Sequence, residues 1–153
     1  MTHKHYQRGE RRLPQRAVQQ IGLMLGVGIM GAVDEIIFHQ LLQWHHFYMN
    51  TTEYWRIFSD GLFHMLTTVL LFSGAILLFL QRRTISPITR NRPFWAAIFV
   101  GAGAFQLFDG TVNHKLLRLH QVRENVENLL PYDIGWILSG LIILAIGVYL
   151  WRG

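Results

Sequence analysis

The stretch Leu62–Leu80, LFHMLTTVLLFSGAILLFL, runs for nineteen residues with one histidine and no acidic or basic side chain. At about 1.5 Å of rise per residue, a helix of this length crosses a hydrocarbon layer about 30 Å thick. It also lacks the polar stripe that a soluble protein's surface helix turns toward water. Ile134–Leu150, IGWILSGLIILAIGVYL, has the same character, with Tyr132 and Trp151 at its ends as interface anchors. Ile21–Val33 and Phe94–Leu107 complete a set of four apolar blocks. The expected fold is therefore all-α: a four-transmembrane-helix bundle forming a single integral membrane domain over 1–153. Its spans are expected at about 18–42, 60–80, 93–116 and 133–151.

With 153 residues there is room for one domain. The absence of cysteine excludes disulfides, thiolate metal sites, iron–sulfur clusters and cysteine nucleophiles. The net charge of +5 would suit nucleic acid if the basic residues formed a recognition surface. Instead they segregate. Lys4, Arg8, Arg11, Arg12 and Arg16 precede the first block, Arg82, Arg83, Arg90 and Arg92 follow the second, and Arg152 follows the fourth. Four spans put these ten of the fourteen basic residues on one side, and the positive-inside bias makes that side cytoplasmic. Both termini are then cytoplasmic, lipids are the expected surroundings, and nucleic acid is not an expected partner.

On the opposite side, Tyr48, Tyr54, Trp55 and Phe58 suit the headgroup layer. The segment QVRENVENLLP places Val122, Val126 and Leu129 on one side of an expected short helix ended by Pro131. Pro93 suits the first turn of the third span, where its missing N–H has no helical partner to lose. Gly22, Gly26, Gly28, Gly31, Gly101 and Gly103 suit close helix–helix approach.

An internal repeat organises the polar residues. GVGIMGAVDEIIFHQLLQWHH, from Gly26, aligns without a gap with GAGAFQLFDGTVNHKLLRLHQ, from Gly101. The constant offset of 75 pairs Asp34 with Asp109, His39 with His114 and His45 with His120. Such a pattern suggests a tandem parallel repeat of two-helix units, which would set corresponding side chains at comparable depth. The second helix adds Asp60 and, about 6 Å further along, His64. His64 is expected near the Asp34 and Asp109 level, and Asp60 near His39 and His114. On an ideal α-helix Asp34 and His39 lie about 140° apart, so they need not share an ion.

Carboxylates and imidazoles in hydrocarbon are costly unless paired, metallated or set in an internal cavity. The expected centre is a metal site on the outward side of the bundle. His39, His64 and His114 are the leading ligands, Asp34, Asp60 and Asp109 coordinate or orient imidazoles, and His45, His46 and His120 stand above them. Copper is the first choice because imidazoles suit both of its oxidation states; iron and zinc also fit, and haem fits less well beside so many carboxylates. Met49 and Met65 offer weak thioether support. Glu35 would pair with Lys115 or Arg118. Three functions follow from these residues: metal handling without catalysis, a small membrane oxidoreductase with a copper, iron or haem centre, and a structural or proton-conducting bundle. A homo-oligomer is compatible with each.

Three segments, DEIIFHQLLQWHH at 34–46, DGLFH at 60–64 and FDGTVNHKLLRLHQVR at 108–123, give the chain a resemblance to a family of bacterial predicted membrane proteins, domain of unknown function 2243. Glu35 stands where the family's Asp-Gly opening would place glycine. The resemblance implies a bacterial cytoplasmic membrane protein. Because such members look like neighbours of a membrane factor for cytochrome oxidase assembly, it also implies copper handling with a respiratory oxidase or assembly factor as partner.

Overall fold

The structure, a computed structural model, describes residues 14–82 and 92–152. The basic residues Lys4, Arg8, Arg11, Arg12, Arg83 and Arg90 lie outside the described residues. Among the described residues the architecture is entirely helical. Helix α1 (Gln15–Val33) continues directly into a π-helical segment, Asp34–Leu41; α2 spans Glu53–Leu80; α3 (Arg92–Phe108) continues into a second π-helical segment, Asp109–Leu116; and α4 spans Leu130–Arg152. Counting each π segment with its α-helix gives four helices long and apolar enough to cross a membrane.

Helices α1 and α3 pack against each other along the centre, with α2 flanking α1 and α4 flanking α3. Small residues make that central seam. A Cβ on Gly26 would collide with the Ile98 carbonyl oxygen, and one on Gly101 would sit 2.5 Å from the Leu23 carbonyl oxygen. The seam therefore brings backbone against backbone, as the glycine spacing predicts. Ala96 and Ala97 on α3 are fully buried, and Val18, Ile21 and Phe94 close the end of the seam farthest from the π segments.

The flanking helices turn large apolar side chains outward, including Leu62, Leu66, Phe72 and Phe79 on α2 and Leu138, Ile142 and Tyr149 on α4. In water this would be an extensive sticky surface; in lipid it is the ordinary exterior of a spanning bundle.

Two local expectations are corrected. Residues 120–129 form no helix, because Asn125 adopts φ 58°, a left-handed conformation that interrupts helical hydrogen bonding. Pro131 accordingly stands in the first turn of α4 rather than ending a preceding helix. Helix α2 begins at Glu53, earlier than the span expected from about 60, with extended Thr52 at the N-cap position making no side-chain cap bond, so Tyr54, Trp55 and Phe58 fall in its first turns.

Candidate metal centre

The polar residues gather where α1 and α3 change helical pitch. In the π segments the backbone bonds run from residue i to i+5: Leu42 N donates to the Ile37 carbonyl at 2.8 Å, and Leu117 N to the Val112 carbonyl at 2.7 Å. Widening the turn by one residue brings side chains five apart toward the same face. Asp34 and His39 are so related, as are Asp109 and His114. Gln43 and Arg118 then adopt φ 49° and 51°, turning the chain back over each helix end. The next residues but one, His45 and His120, enter the bundle from these loops.

The correspondence at an offset of 75 extends to hydrogen bonds between the two loops. Met49 N donates to the Leu119 carbonyl and Glu124 N to the Trp44 carbonyl, both at 2.9 Å. His45 Nδ1 donates to the Val122 carbonyl and His120 Nδ1 to the Phe47 carbonyl, both at 2.8 Å. A carbonyl only accepts, so in each neutral ring the proton is on Nδ1 and the lone pair is on Nε2. Burial lowers both histidines' pKa values, that of His120 to about 4, despite the opposing pull of Asp109, and that of His45 further. Both rings are consequently neutral near pH 7.

Each aspartate lies between two imidazoles. The Asp34 carboxylate is 3.7 Å from His39 Nε2 through Oδ2 and 3.8 Å from His45 Nε2 through Oδ1. Asp109 is 2.9 Å from His114 Nε2 through Oδ2 and 3.8 Å from His120 Nε2 through Oδ1. Separations of 3.7–3.8 Å are too long for hydrogen bonds. They suit ligands of a shared ion: atoms each about 2.1 Å from a metal can stand up to about 4.2 Å apart.

These side chains are almost completely enclosed; His114 has 0% exposure, and His39, Asp34 and Asp109 have 1% each. Asp34 Oδ1, Asp109 Oδ2 and the Nε2 atoms of His39, His45, His114 and His120 all lack hydrogen-bond partners. Buried polar atoms left unmatched are costly and rare, and here they face one another. Two groups could hold an ion, His39 with His45 and His120, and Asp109 with His114 and His120; within each group the donor atoms lie within 4.8 Å of one another.

Around His39 stands an outer layer of polar contacts. Its Nδ1 is 3.1 Å from Asp60 Oδ1 and 2.9 Å from Glu35 Oε2, and these three residues form a further donor group of the same dimensions. Asp60 also meets His46 Nδ1 at 2.6 Å and accepts from Phe47 N at 2.7 Å. Gln40 Nε2 donates to Glu35 Oε1 at 2.8 Å, and Asn113 Nδ2 to Asp109 Oδ1 at 2.8 Å. A carboxylate behind an imidazole fixes its tautomer and strengthens its other nitrogen as a donor.

The structure thus brings together Asp34, His39, His45, Asp109, His114 and His120, with Asp60 and His46 one contact behind. His64 is not brought to them. It is exposed on α2, beside the inward stripe of Asp60, Phe63 and Thr67. Met65 is also exposed, at 58%, and Met49 sulfur accepts from His46 N instead of facing the imidazoles. Glu35 pairs with neither Lys115 nor Arg118: it lies buried against His39 and Gln40, while Lys115 binds Asp133 at 2.6 Å. The Glu35–His39 contact is an i,i+4 pair that an α-helix also brings together, whereas the Gln40 contact, at i,i+5, uses the π turn.

Fold and site together define a helical membrane protein with His/Asp groups that could hold a metal ion. The chain belongs to the family described as predicted membrane protein DUF2243, whose profile matches residues 21–153. No curated protein matches the chain, and no solved structure does.

Proposed function

We propose that the protein is a membrane metalloprotein whose ion or ion pair is held by His39, His45, His114 and His120 with Asp34 and Asp109. The observation that carries this reading is the set of enclosed, inward Nε2 atoms: those of His39, His45 and His120 stand 3.7–3.8 Å from Asp34 or Asp109, beyond hydrogen-bond reach, while that of His114 is 2.9 Å from Asp109 Oδ2. A proton-bonded structural network would be expected to match these atoms with one another. The simplest arrangement gives each half one His2Asp set, Asp34/His39/His45 and Asp109/His114/His120.

Copper remains the first candidate, since imidazoles outnumber carboxylates and Cu(II) heads the affinity order for such donors. Iron follows, because two histidines with one carboxylate are a common non-haem iron set, and zinc fits the same atoms. With the basic residues on the cytoplasmic side, the centre lies toward the outer face of a bacterial cytoplasmic membrane.

Enclosure favours an ion that stays over one passed on, and a resident ion suits an oxidoreductase. The handling role in oxidase assembly, implied by the family resemblance, has one observation in its favour. A polar opening of about 480 Å³ beside Met49, Arg56, Arg118 and Glu124 reaches His120. Exchange kinetics separate the two. Protein purified with its metal and incubated with a strong chelator should lose the ion over hours if it is resident; loss within seconds, with transfer to an apo-acceptor, supports handling.

A further inference from the structure

His64 is a polar side chain that the centre leaves over, and its place on α2 needs an explanation. At about 1.5 Å per residue the stretch from Trp55 to Arg82 is about 40 Å long, the thickness of a bilayer with its headgroup layers. His64 then lies about 13 Å along the helix from Trp55, inside the hydrocarbon and too deep for its short side chain to reach the headgroups. It is exposed there. Its carbonyl accepts from Thr67 Oγ1 at 2.9 Å, while its imidazole makes no hydrogen bond, ion pair or ring contact among the described residues. Elsewhere in the spans polar groups turn inward: Asp60 is buried against His39 and His46, and Gln106 Nε2 donates to Ser139 Oγ at 2.6 Å. An imidazole that faces lipid without a partner is costly, and another helix normally covers such a group.

The residues around His64 suit a close helix neighbour. Gly61, Thr68 and Ala75 recur every seven positions, and Ile57, His64 and Leu71 alternate with them at spacings of four and three. This is the seam of a left-handed helix pair, with small residues at one of its two repeating positions. Gly61 and Ala75 are exposed, and Thr68 is half-buried. The inward glycine of α2 already has its neighbour, since a Cβ on Gly74 would sit 2.5 Å from Leu25 Cδ2. At Gly61 an added Cβ meets no atom within 4 Å. Glycine weakens a helix, and among the described residues Gly61 gains no close contact in return.

We infer that this face of α2 packs against the same face of a second copy of the chain, about a two-fold axis along the membrane normal. Copies of one chain insert in the same sense, so two α2 helices in contact run parallel and in register. His64 then meets its counterpart at one depth, one ring N–H donating to the other ring's lone pair. Small residues stand opposite small residues, which lets the backbones approach. An unrelated membrane protein would have to offer a hydrogen-bonding group at that same depth, whereas a second copy supplies it by symmetry. His64 takes no part in the His/Asp centre, so the inference does not rest on the metal reading.

The chain has no cysteine, so a single introduced cysteine reports a single contact. The test uses the full-length protein in vesicles of phosphatidylethanolamine and phosphatidylglycerol. Gly61→Cys, Thr68→Cys and Ala75→Cys should each be joined into a dimer by a thiol cross-linker, while Leu66→Cys and Ser73→Cys, on another side of the helix, should not. Energy transfer between donor- and acceptor-labelled chains, followed against the protein-to-lipid ratio, gives the dissociation constant of the dimer. His64→Leu should raise that constant by about three- to tenfold and Gly61→Leu by about tenfold, with helical content unchanged. The cysteine series keeps His64 in place, so it decides the matter even if His64→Leu fails to fold. Chains that stay monomeric at every ratio overturn the inference. So does a folded His64→Leu variant that associates as well as the wild type or better, or cross-linking as efficient from Leu66→Cys and Ser73→Cys as from the seam.

Discussion

His45 and His120 stack face to face, with ring centroids 4.5 Å apart and planes 5° from parallel, and each is tethered through Nδ1 to a carbonyl beyond the other. The tethers pass between the loops that close the bundle, so the pair locks both chain reversals while leaving two Nε2 lone pairs directed inward. Neither loop holds its histidine alone.

Because each ring uses a carbonyl from the opposite loop, His45→Ala and His120→Ala should have matching effects. Each is expected to lower metal affinity by more than the roughly 10- to 100-fold typical of losing an outer-layer partner. Titration of metal-free protein with Cu(II) checks this. His64→Ala, on the exposed side of α2, should leave the binding curve unchanged.

Asp60→Asn tests the layer behind the ligands. Asp60 contacts both His39 and His46, so its loss should weaken metal binding by about 10- to 100-fold without removing an ion ligand. Isothermal titration on folded variant protein measures the change. An unaltered affinity would mean that Asp60 does not orient His39.

Much of the bundle was legible in the sequence because apolar block length and glycine spacing act locally. The offset of 75 likewise pairs Asp34 with Asp109, His39 with His114 and His45 with His120, and all six side chains meet in one centre, although Glu35 and Asp60 stand behind His39 Nδ1 and nothing bonds His114 Nδ1. What the sequence concealed was helical pitch. An ideal helix separates Asp34 from His39 by about 140°, and only the i→i+5 turn brings them to one face. His64 misled for a related reason: the inward stripe of α2 runs through Asp60, Phe63 and Thr67, and residue 64 falls about 100° beyond Phe63. The re-entry of His45 and His120 depends on left-handed Gln43 and Arg118, two residue types that do not announce that conformation.

The low pKa values of the stacked histidines give metal-free protein a defined acid sensitivity. The unfolded chain takes up a proton on His120 near pH 6.5, whereas the folded chain resists until about 4. Between these values the unfolded state holds more protons, so stability falls as pH falls, by about 1.4 kcal/mol per pH unit for this one group. The loss from His120 ends below pH 4, where both states are protonated, and His45 adds in the same direction. Thermal unfolding of metal-free protein from pH 7.5 to 5 should show a falling midpoint; a flat profile would contradict neutral, buried rings.

At the α1–α3 seam, Gly26→Val should destabilise the bundle. Its new side chain meets the Ile98 carbonyl, and relief requires the helices to part, at a cost of about 1–3 kcal/mol. Denaturation in a mild detergent reads this as a lower midpoint. Gly61→Ala, where no atom lies within 4 Å of the added carbon, serves as the matched control.

Metal analysis of protein purified from its own membranes, combined with pulsed paramagnetic resonance, bears most directly on the His/Asp centre. The expected result is at least one transition-metal ion per chain with imidazole nitrogen couplings, retained in His64→Ala and lost from a folded His45→Ala/His120→Ala double variant. Folded wild-type protein that carries no metal, and takes up neither copper, iron nor zinc stoichiometrically, would contradict the account.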